Sequence, residues 1–390
     1  MKKGQKKQRC GKKMAQKLPT NRTWVEVDYC AITENTKTLK TLLADPIALM
    51  AVVKSNAYGH GMVESARVAI TGGASWLAVD EITEALELRA NKIKTPILVL
   101  GFTLPVFYKV AADKKISLTI SSLESLQELA KTRLSKKLRI HLKFDTGLHR
   151  QGILETHVQQ VVRTISAKGF AGIIEGAYTH FAVMEDPIKA EYSKAQTRTF
   201  KSIIAKLNQK GFAPITHASA SSGILFSKDF HFDMSRAGIA LYGLWPSPEI
   251  RKWADSTKLV PVMTWKTIIS EVKLVNKGVK VGYDLTYETD RNSRIAIIPV
   301  GYWHGLPRSM SSRGQVLVCG KKANIIGRIS MDMTIIDVTD VPSVKQGDEV
   351  VIIGTQENAS ISAEAAAEKA GTINYELVTR INPLIPRIKA

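Results

Sequence analysis

One lysine stands where a reactive amine would be useful. The apolar run Ile47-Ala-Leu-Met-Ala-Val-Val53 has the length and composition of a buried strand, and it ends directly in Lys54-Ser-Asn-Ala-Tyr58-Gly-His60-Gly61. An amine at the carboxyl end of a barrel strand can hold an aldehyde, and becomes nucleophilic when cations or desolvation depress its pKa. Position alone leaves a solvated loop lysine equally open. Ser221, Tyr58 and Tyr375, taken singly, read as structural, and His180 reads as a satisfied core histidine. Cys10, Cys30 and Cys319 lie far apart with no Cys-x-x-Cys or Cys/His spacing, so no structural zinc is expected. They read as free thiols of a reducing compartment.

The elements that would position Lys54 follow from the alternation around it. Between Trp24 and about Tyr242, short β-rich runs alternate with segments of helical period such as Glu81–Ala90 and Ser122–Lys131. The strands are expected at Ile47–Val53, Trp76–Val79, Ile97–Leu100, Ser117–Ile120, Leu138–Phe144, Ile173–Tyr178, Ile215–His217 and Ile239–Tyr242, the complement of a (β/α)8 barrel. After Pro246 the texture changes. Val262–Val275, Arg294–Val300, Gln315–Val318, Ala323–Ile326, Thr334–Val338 and Glu349–Ile353 read as strands with few helices between. The expected class is therefore α/β, an N-terminal (β/α)8 TIM-like barrel over 23–255 followed by a C-terminal mainly-β domain over 256–390.

The segment Val-Val-Lys54-Ser-Asn-Ala-Tyr58-Gly-His60-Gly closely resembles the cofactor-lysine motif of the alanine racemases, and the resemblance runs from Thr23–Glu26 through Arg387. It implies pyridoxal 5'-phosphate carried as a Schiff base on Lys54. Arg236-Ala-Gly238-Ile239-Ala-Leu-Tyr242-Gly matches the family segment whose arginine hydrogen-bonds the cofactor's ring nitrogen, with Gly238 and Ile239 lending amides to its phosphate. An arginine cannot protonate that nitrogen, so the ring is a weaker electron sink and reprotonation is favoured over transamination. The resemblance also gives Ser221, Tyr58 and Tyr375 to the phosphate, for which neutral donors suffice.

Racemisation needs a base on each face of the α-carbon. The resemblance gives one to Lys54 and the other to Tyr283, in Val281-Gly-Tyr283-Asp-Leu-Thr-Tyr287, reaching the barrel of a partner subunit in a homodimer with shared active sites. His180 matches the histidine linking that tyrosine to Arg236. Arg150, in Lys143-Phe-Asp145-Thr-Gly147-Leu-His-Arg150, would hold the substrate carboxylate, a task suited to a planar guanidinium. Lys143 matches a lysine often carbamylated to fix that arginine. Met331 would meet the carboxylate through its backbone, and Tyr302, Tyr375 and Asp332 would shape the entrance. The chain departs from the family pattern at Trp303-His304, at Leu384 and at Asp284, whose carboxylate would raise the Tyr283 pKa if turned inward.

A net charge of +20 suggests a polyanion partner, but Lys2, Lys3, Lys6, Lys7, Arg9, Lys12, Lys13 and Lys17 crowd the first residues. Residues 1–22 thus read as a solvated disordered tail, with any nucleic-acid contact confined to non-specific contacts there. No apolar stretch follows the tail as a signal peptide requires, and nowhere do ~18 uncharged apolar residues run together. A soluble cytoplasmic protein with no membrane partner and no metal is expected. The implied activity is interconversion of L- and D-alanine, supplying D-alanine for peptidoglycan. A racemase of broader specificity, taking serine or another small amino acid, is the alternative, since a pocket discriminates one small group by only ~1–3 kcal/mol. A non-catalytic cofactor carrier would share Lys54 but needs neither Tyr283 nor a second domain. A decarboxylase of the same fold would set a carboxylate, not Arg236, at the ring nitrogen.

Overall fold

The computed structural model describes residues 21–170 and 172–390. The basic tail, apart from its last two residues, and Cys10 lie outside the described residues. The chain divides into two units, Tyr29–Pro261 and the chain ends up to Asp28 with Val262–Ala390.

In the first unit eight strands pair in parallel and close on themselves: β1 (Ala48–Val52), β2 (Trp76–Val79), β3 (Ile97–Val99), β4 (Ile116–Ile120), β5 (Leu138–Asp145), β6 (Gly172–Tyr178), β7 (Ile215–His217) and β8 (Met234–Ala237). β2, β3 and β4 are buried along their whole length, which is why they read as unbroken apolar runs. The helices between them bury one stripe each. In Val158–Ile165 the buried residues are Val158, Val161, Val162 and Ile165, at i, i+3, i+4 and i+7. Ser122 caps Leu123–Lys131 by accepting from Ser125 N, and Glu81 and Glu84 form a capping box on Ile82–Ala90.

The eighth strand corrects the sequence reading. Ile239–Tyr242 is a short 3-10 turn, and the strand is Met-Ser-Arg-Ala just before it. Ser235 and Arg236 break the apolar pattern, yet all four residues are buried, because Arg236 finds partners inside the barrel and Ser235 Oγ donates to His231 O of the loop before the strand.

The second unit is built on one large sheet. Its strands run in the order Glu271–Val275, Ser293–Ile298, Thr334–Asp337, Lys321–Ile326, Gln315–Val318, Glu349–Gln356, Met263–Ile268, Thr23–Val27 and Arg387–Lys389. All neighbours are antiparallel except the last pair. Thr23–Val27, placed within the barrel domain by the expected boundary at 23, is instead a strand of this sheet, paired in register from Thr23↔Thr267 to Val27↔Met263 and tied by the Glu26–Lys266 ion pair at 3.0 Å. The barrel unit therefore begins after Asp28, and the second boundary falls at Pro261 rather than at 255. Val262–Val275 is two strands broken at Ile269-Ser270, and two unexpected helices, Ala363–Ala370 and Asn374–Thr379, follow the sheet. Among the described residues no helix is long and apolar enough to cross a membrane.

Candidate active site

Lys54 leaves the carboxyl end of β1 on a one-turn helix, Lys54–Tyr58, whose hand is wrong for L-residues. Ser55, Asn56, Ala57 and Tyr58 all have φ between 52° and 54°. Left-handed turns cost roughly 1–2 kcal/mol per residue, so four in a row persist only where the surroundings hold them. Here Glu84 accepts from Ser55 N at 2.6 Å and from Asp80 N at 2.8 Å, while Asn56 Oδ1 accepts from Met62 N at 3.0 Å. The turn sets Lys54 Nζ 2.9 Å from Asp80 Oδ1 at the end of β2. Asp80 has no assigned role in the sequence reading, although it follows its strand directly, whereas Val53 separates Lys54 from the end of β1.

Tyr58 ends the turn and meets the loop after β8. Burial, and then the nearby Asp80, push its phenol up to about 12, so it stays protonated and able to donate. Its ring packs on Tyr242 at 5.3 Å, and Tyr242 is fixed by a 2.9 Å bond to Val52 O and by stacking on His60 at 4.4 Å. A Cβ on Gly238 would stand 2.7 Å from the Tyr58 hydroxyl, so only glycine allows that approach. Ser221 Oγ accepts from Gly238 N at 2.9 Å and from Ala240 N at 3.3 Å. Tyr58, Ser221 and Gly238 thus share one corner of the mouth, with Ile239 next in the chain; the Gly238 amide is donated to Ser221 Oγ, and the two hydroxyls are groups suited to an oxyanion.

Arg236 is 4% exposed and points across the barrel. It donates to His217 Nδ1 at 2.7 Å, Thr179 O at 2.9 Å, Ala218 O at 2.7 Å and His180 Nδ1 at 3.2 Å. Guanidinium only donates, so both imidazole nitrogens must be bare. Burial, and then the Arg236 charge, hold His217 and His180 well below the ordinary histidine range. Among the described residues no carboxylate pairs with Arg236.

Lys143, on β5, is 6% exposed, and its Nζ lies 5.5 Å from the Tyr178 ring centroid. Burial lowers its pKa to about 8, with help from the charges of Arg150, Arg236 and Lys54. Its Nζ donates to Gln151 Oε1 at 2.9 Å, a partner the sequence reading missed. Arg150 follows β5 on an exposed loop.

The remaining expected residues belong to the second unit. Tyr283 opens a short turn, Tyr283–Leu285, and is 68% exposed. The adjacent Asp284 carboxylate forms an ion pair with Arg328 Nε at 2.6 Å. Tyr302 N donates to Ser330 O and Trp303 N to Met331 O, each at 3.0 Å, which brings Tyr302, Met331 and Asp332 together. His304, one of the departures, accepts from Gly301 N at 3.2 Å through Nδ1 and lies 3.9 Å from Asp332. Tyr375 lies in the helix Asn374–Thr379. Among the described residues no group of three or more His, Cys, Asp or Glu is placed to hold a metal ion.

Residues 27–246 match the family model of the alanine racemase N-terminal domain, and residues 262–389 that of the C-terminal domain. The chain belongs to the alanine racemase family. An alanine racemase of Desulfosudis oleivorans is 40% identical over 378 residues, covering 94% of this chain and 96% of the relative. One of Methanococcus maripaludis is 39% identical over 371 residues, covering 94% and 98%. Among solved structures, the Bacillus anthracis alanine racemase with bound L-Ala-P superposes with a TM-score of 0.89 at 37% identity, covering 95% of each chain. The family fold, a parallel eight-stranded barrel followed by a mainly-β domain, is the one described above.

Proposed function

We propose that this chain interconverts L- and D-alanine with pyridoxal phosphate as cofactor, as a homodimer in which each barrel is completed by Tyr283 of a second copy. The observation that carries the reading is the barrel mouth, where one strand-end amine, a cup of neutral oxyanion donors and a buried arginine held only by neutral acceptors stand together.

The donor set fits the cofactor. Ser221, Tyr58 and the amides of Gly238 and Ile239 would take its phosphate, with Tyr375, Arg236 its ring nitrogen and Lys54 its aldehyde carbon. When bound, the cofactor supplies an electron-withdrawing ring that acidifies the substrate's α-hydrogen. Lys54 Nζ takes or returns the proton on one face of the α-carbon, and the Tyr283 hydroxyl does so on the other. Arg150 and the Met331 amide hold the substrate carboxylate so that both bases address the same carbon. His180, kept neutral by burial and by Arg236, would link Arg236 to the second base. Lys143, with a pKa of about 8, has enough neutral amine at mildly alkaline pH to take up carbon dioxide, and as a carbamate it would brace Arg150. Tyr302, Asp332 and Tyr375 narrow the entrance. D-alanine for peptidoglycan is the product use this reading implies.

The reading also accounts for what the reaction avoids. Arg236, with a pKa lowered by burial to about 10, keeps its own protons near neutral pH and would leave the cofactor's ring nitrogen unprotonated, which would limit charge build-up on the ring and disfavour decarboxylation and transamination. The test is to incubate the protein and pyridoxal phosphate with L-alanine and separately with L-serine, resolving the enantiomers by chiral chromatography. D-alanine forming faster than D-serine supports the assignment. Preference for serine changes the substrate, and no racemisation of either overturns the reading.

A further inference from the structure

A second line of polar contacts, two hydrogen bonds ending in a longer histidine–carboxylate approach, leaves Arg236 in the opposite direction, away from the mouth and along the barrel interior. Arg236 donates to His217 Nδ1 at 2.7 Å, His217 Nε2 meets His141 Nδ1 at 2.9 Å, and His141 Nε2 lies 3.5 Å from Glu175 Oε2. The four residues come from four strands, β8, β7, β5 and β6, and both imidazoles are fully buried. Glu175 also receives Ser117 Oγ, and its other oxygen accepts from Arg139 at 2.8 Å, where Arg139 reaches solvent.

The chain has only one consistent set of protons. Arg236 cannot accept, so His217 Nδ1 is bare and its Nε2 carries the hydrogen. That hydrogen requires His141 Nδ1 to be bare, which leaves the His141 Nε2 hydrogen facing the carboxylate. Reversing either ring would set two donors, or two acceptors, against each other in a buried site.

The backbone is shaped to make this arrangement. The β5–β6 register slips between Ile140 and His141, which pair with Ile174 and Gly176, so Glu175 is the extra residue. Such slips re-aim a side chain. A Cβ at position 176 would lie 2.2 Å from His141 Nδ1, so Gly176 is what lets that ring lie flat on β6. Tyr178 stacks on His217 at 4.6 Å, and Trp76 meets the edge of His141 at 5.4 Å.

We propose that Glu175 is a remote positioning residue for Arg236, acting through His141 and His217 to fix the tautomers that hold the guanidinium in place. Its bearing on turnover rests on the racemase reading, in which Arg236 faces the cofactor's ring nitrogen. The tautomers do not depend on that reading.

The experiment is long-range proton–nitrogen NMR on protein labelled at its 8 histidines and saturated with pyridoxal phosphate. His141 and His217 should both be Nε2–H tautomers in the wild type, assigned by single His→Gln variants. Glu175→Gln, which keeps an acceptor oxygen, should preserve them. Glu175→Leu should move His141, and with it His217, to the other tautomer or to a mixture. The same variant should lower kcat about tenfold with KM within about twofold, while Glu175→Gln stays near wild type. An Nδ1–H on either ring of the wild type overturns the proposal, even if Glu175→Leu does not fold. So do unchanged tautomers in a folded Glu175→Leu protein. Expected tautomers in a protein that does not racemise alanine would sink the racemase reading and leave the positioning chain standing.

Discussion

Replacing Gly238 by alanine should weaken cofactor binding far more than it weakens the fold. The added methyl would stand 2.7 Å from the Tyr58 hydroxyl and 3.3 Å from Cζ, against the ordinary carbon contact of about 3.5–4.0 Å. Tyr58 cannot simply swing aside, because Tyr242 backs its ring and is itself fixed to Val52 and His60. Forcing a methyl into such a site costs about 1–3 kcal/mol. On the proposed reading, a phosphate held at Tyr58 and Ser221 would require the original positions, whereas in the cofactor-free protein a small shift of the Gly238 turn would relieve much of that strain. The strain therefore falls on binding, as a Kd increase of about 5- to 150-fold. The assay is titration of cofactor-free protein with pyridoxal phosphate, followed by tryptophan fluorescence, for the wild type, Gly238→Ala, Tyr58→Phe and the double variant. Removing the hydroxyl removes the closest contact, so the double variant should lose less than the two single losses added together. An unchanged Kd for Gly238→Ala, or strict additivity, would refute the reasoning.

Lys54→Ala should abolish turnover and the visible absorbance of the bound cofactor together; turnover surviving without that lysine would remove it from the mechanism. Tyr283→Ala should keep the cofactor and lose α-proton exchange on one face only, and equal exchange from both enantiomers would sink the two-base assignment. Ser55→Gly should raise stability by about 0.5 kcal/mol, since relief of roughly 1–2 kcal/mol at φ 54° exceeds glycine's entropic cost of roughly 0.5–1 kcal/mol; a fall in the denaturant midpoint would mean the turn is not strained. Lys143 gives a pH dependence. Its folded pKa of about 8 lies below the ordinary 10.5, so between these values the unfolded chain binds more protons and stability rises with pH. Below pH 8 the full penalty applies, on the order of 3 kcal/mol from 1.36 kcal/mol per pKa unit. Unfolding free energies of wild type and Lys143→Met in carbon-dioxide-free buffer, where the amine is not carbamylated, should converge by that amount between pH 7 and 10.5, and parallel profiles would contradict it.

The barrel was legible because several of its strands are buried on both faces and read as apolar runs, Trp76–Val79 matching to the residue, while Ile215–His217 also matches. β8 was not, since Met-Ser-Arg-Ala has neither β-branched residues nor alternation, and its burial depends on partners from other strands. Thr23–Val27 has a strand's composition, but no local signal says that it pairs with Met263–Ile268, some 240 residues away. The left-handed turn was equally hidden. Its four positive-φ residues include no glycine, and the hydrogen bonds that hold them run from Ser55 N to the Glu84 carboxylate and from Met62 N to Asn56 Oδ1. Lys54 and Arg236 were found through their motifs, whereas Asp80, Gln151 and Glu175 matter through distances that only folding creates.

Arg236 and Lys143 also show why isolated charges are tolerated here. Each is buried and gives up part of its basicity, and each donates to neutral oxygen or nitrogen acceptors. A mouth lined by such cations favours anionic ligands.

The most direct test of the account is racemisation of L-alanine in heavy water, with deuterium at the α-carbon of each enantiomer followed from the first turnovers. Two bases on opposite faces predict D-alanine that carries deuterium from its first appearance, while the remaining L-alanine stays largely protiated. D-alanine formed with its original hydrogen, equal early labelling of both enantiomers, or no D-alanine at all would contradict it.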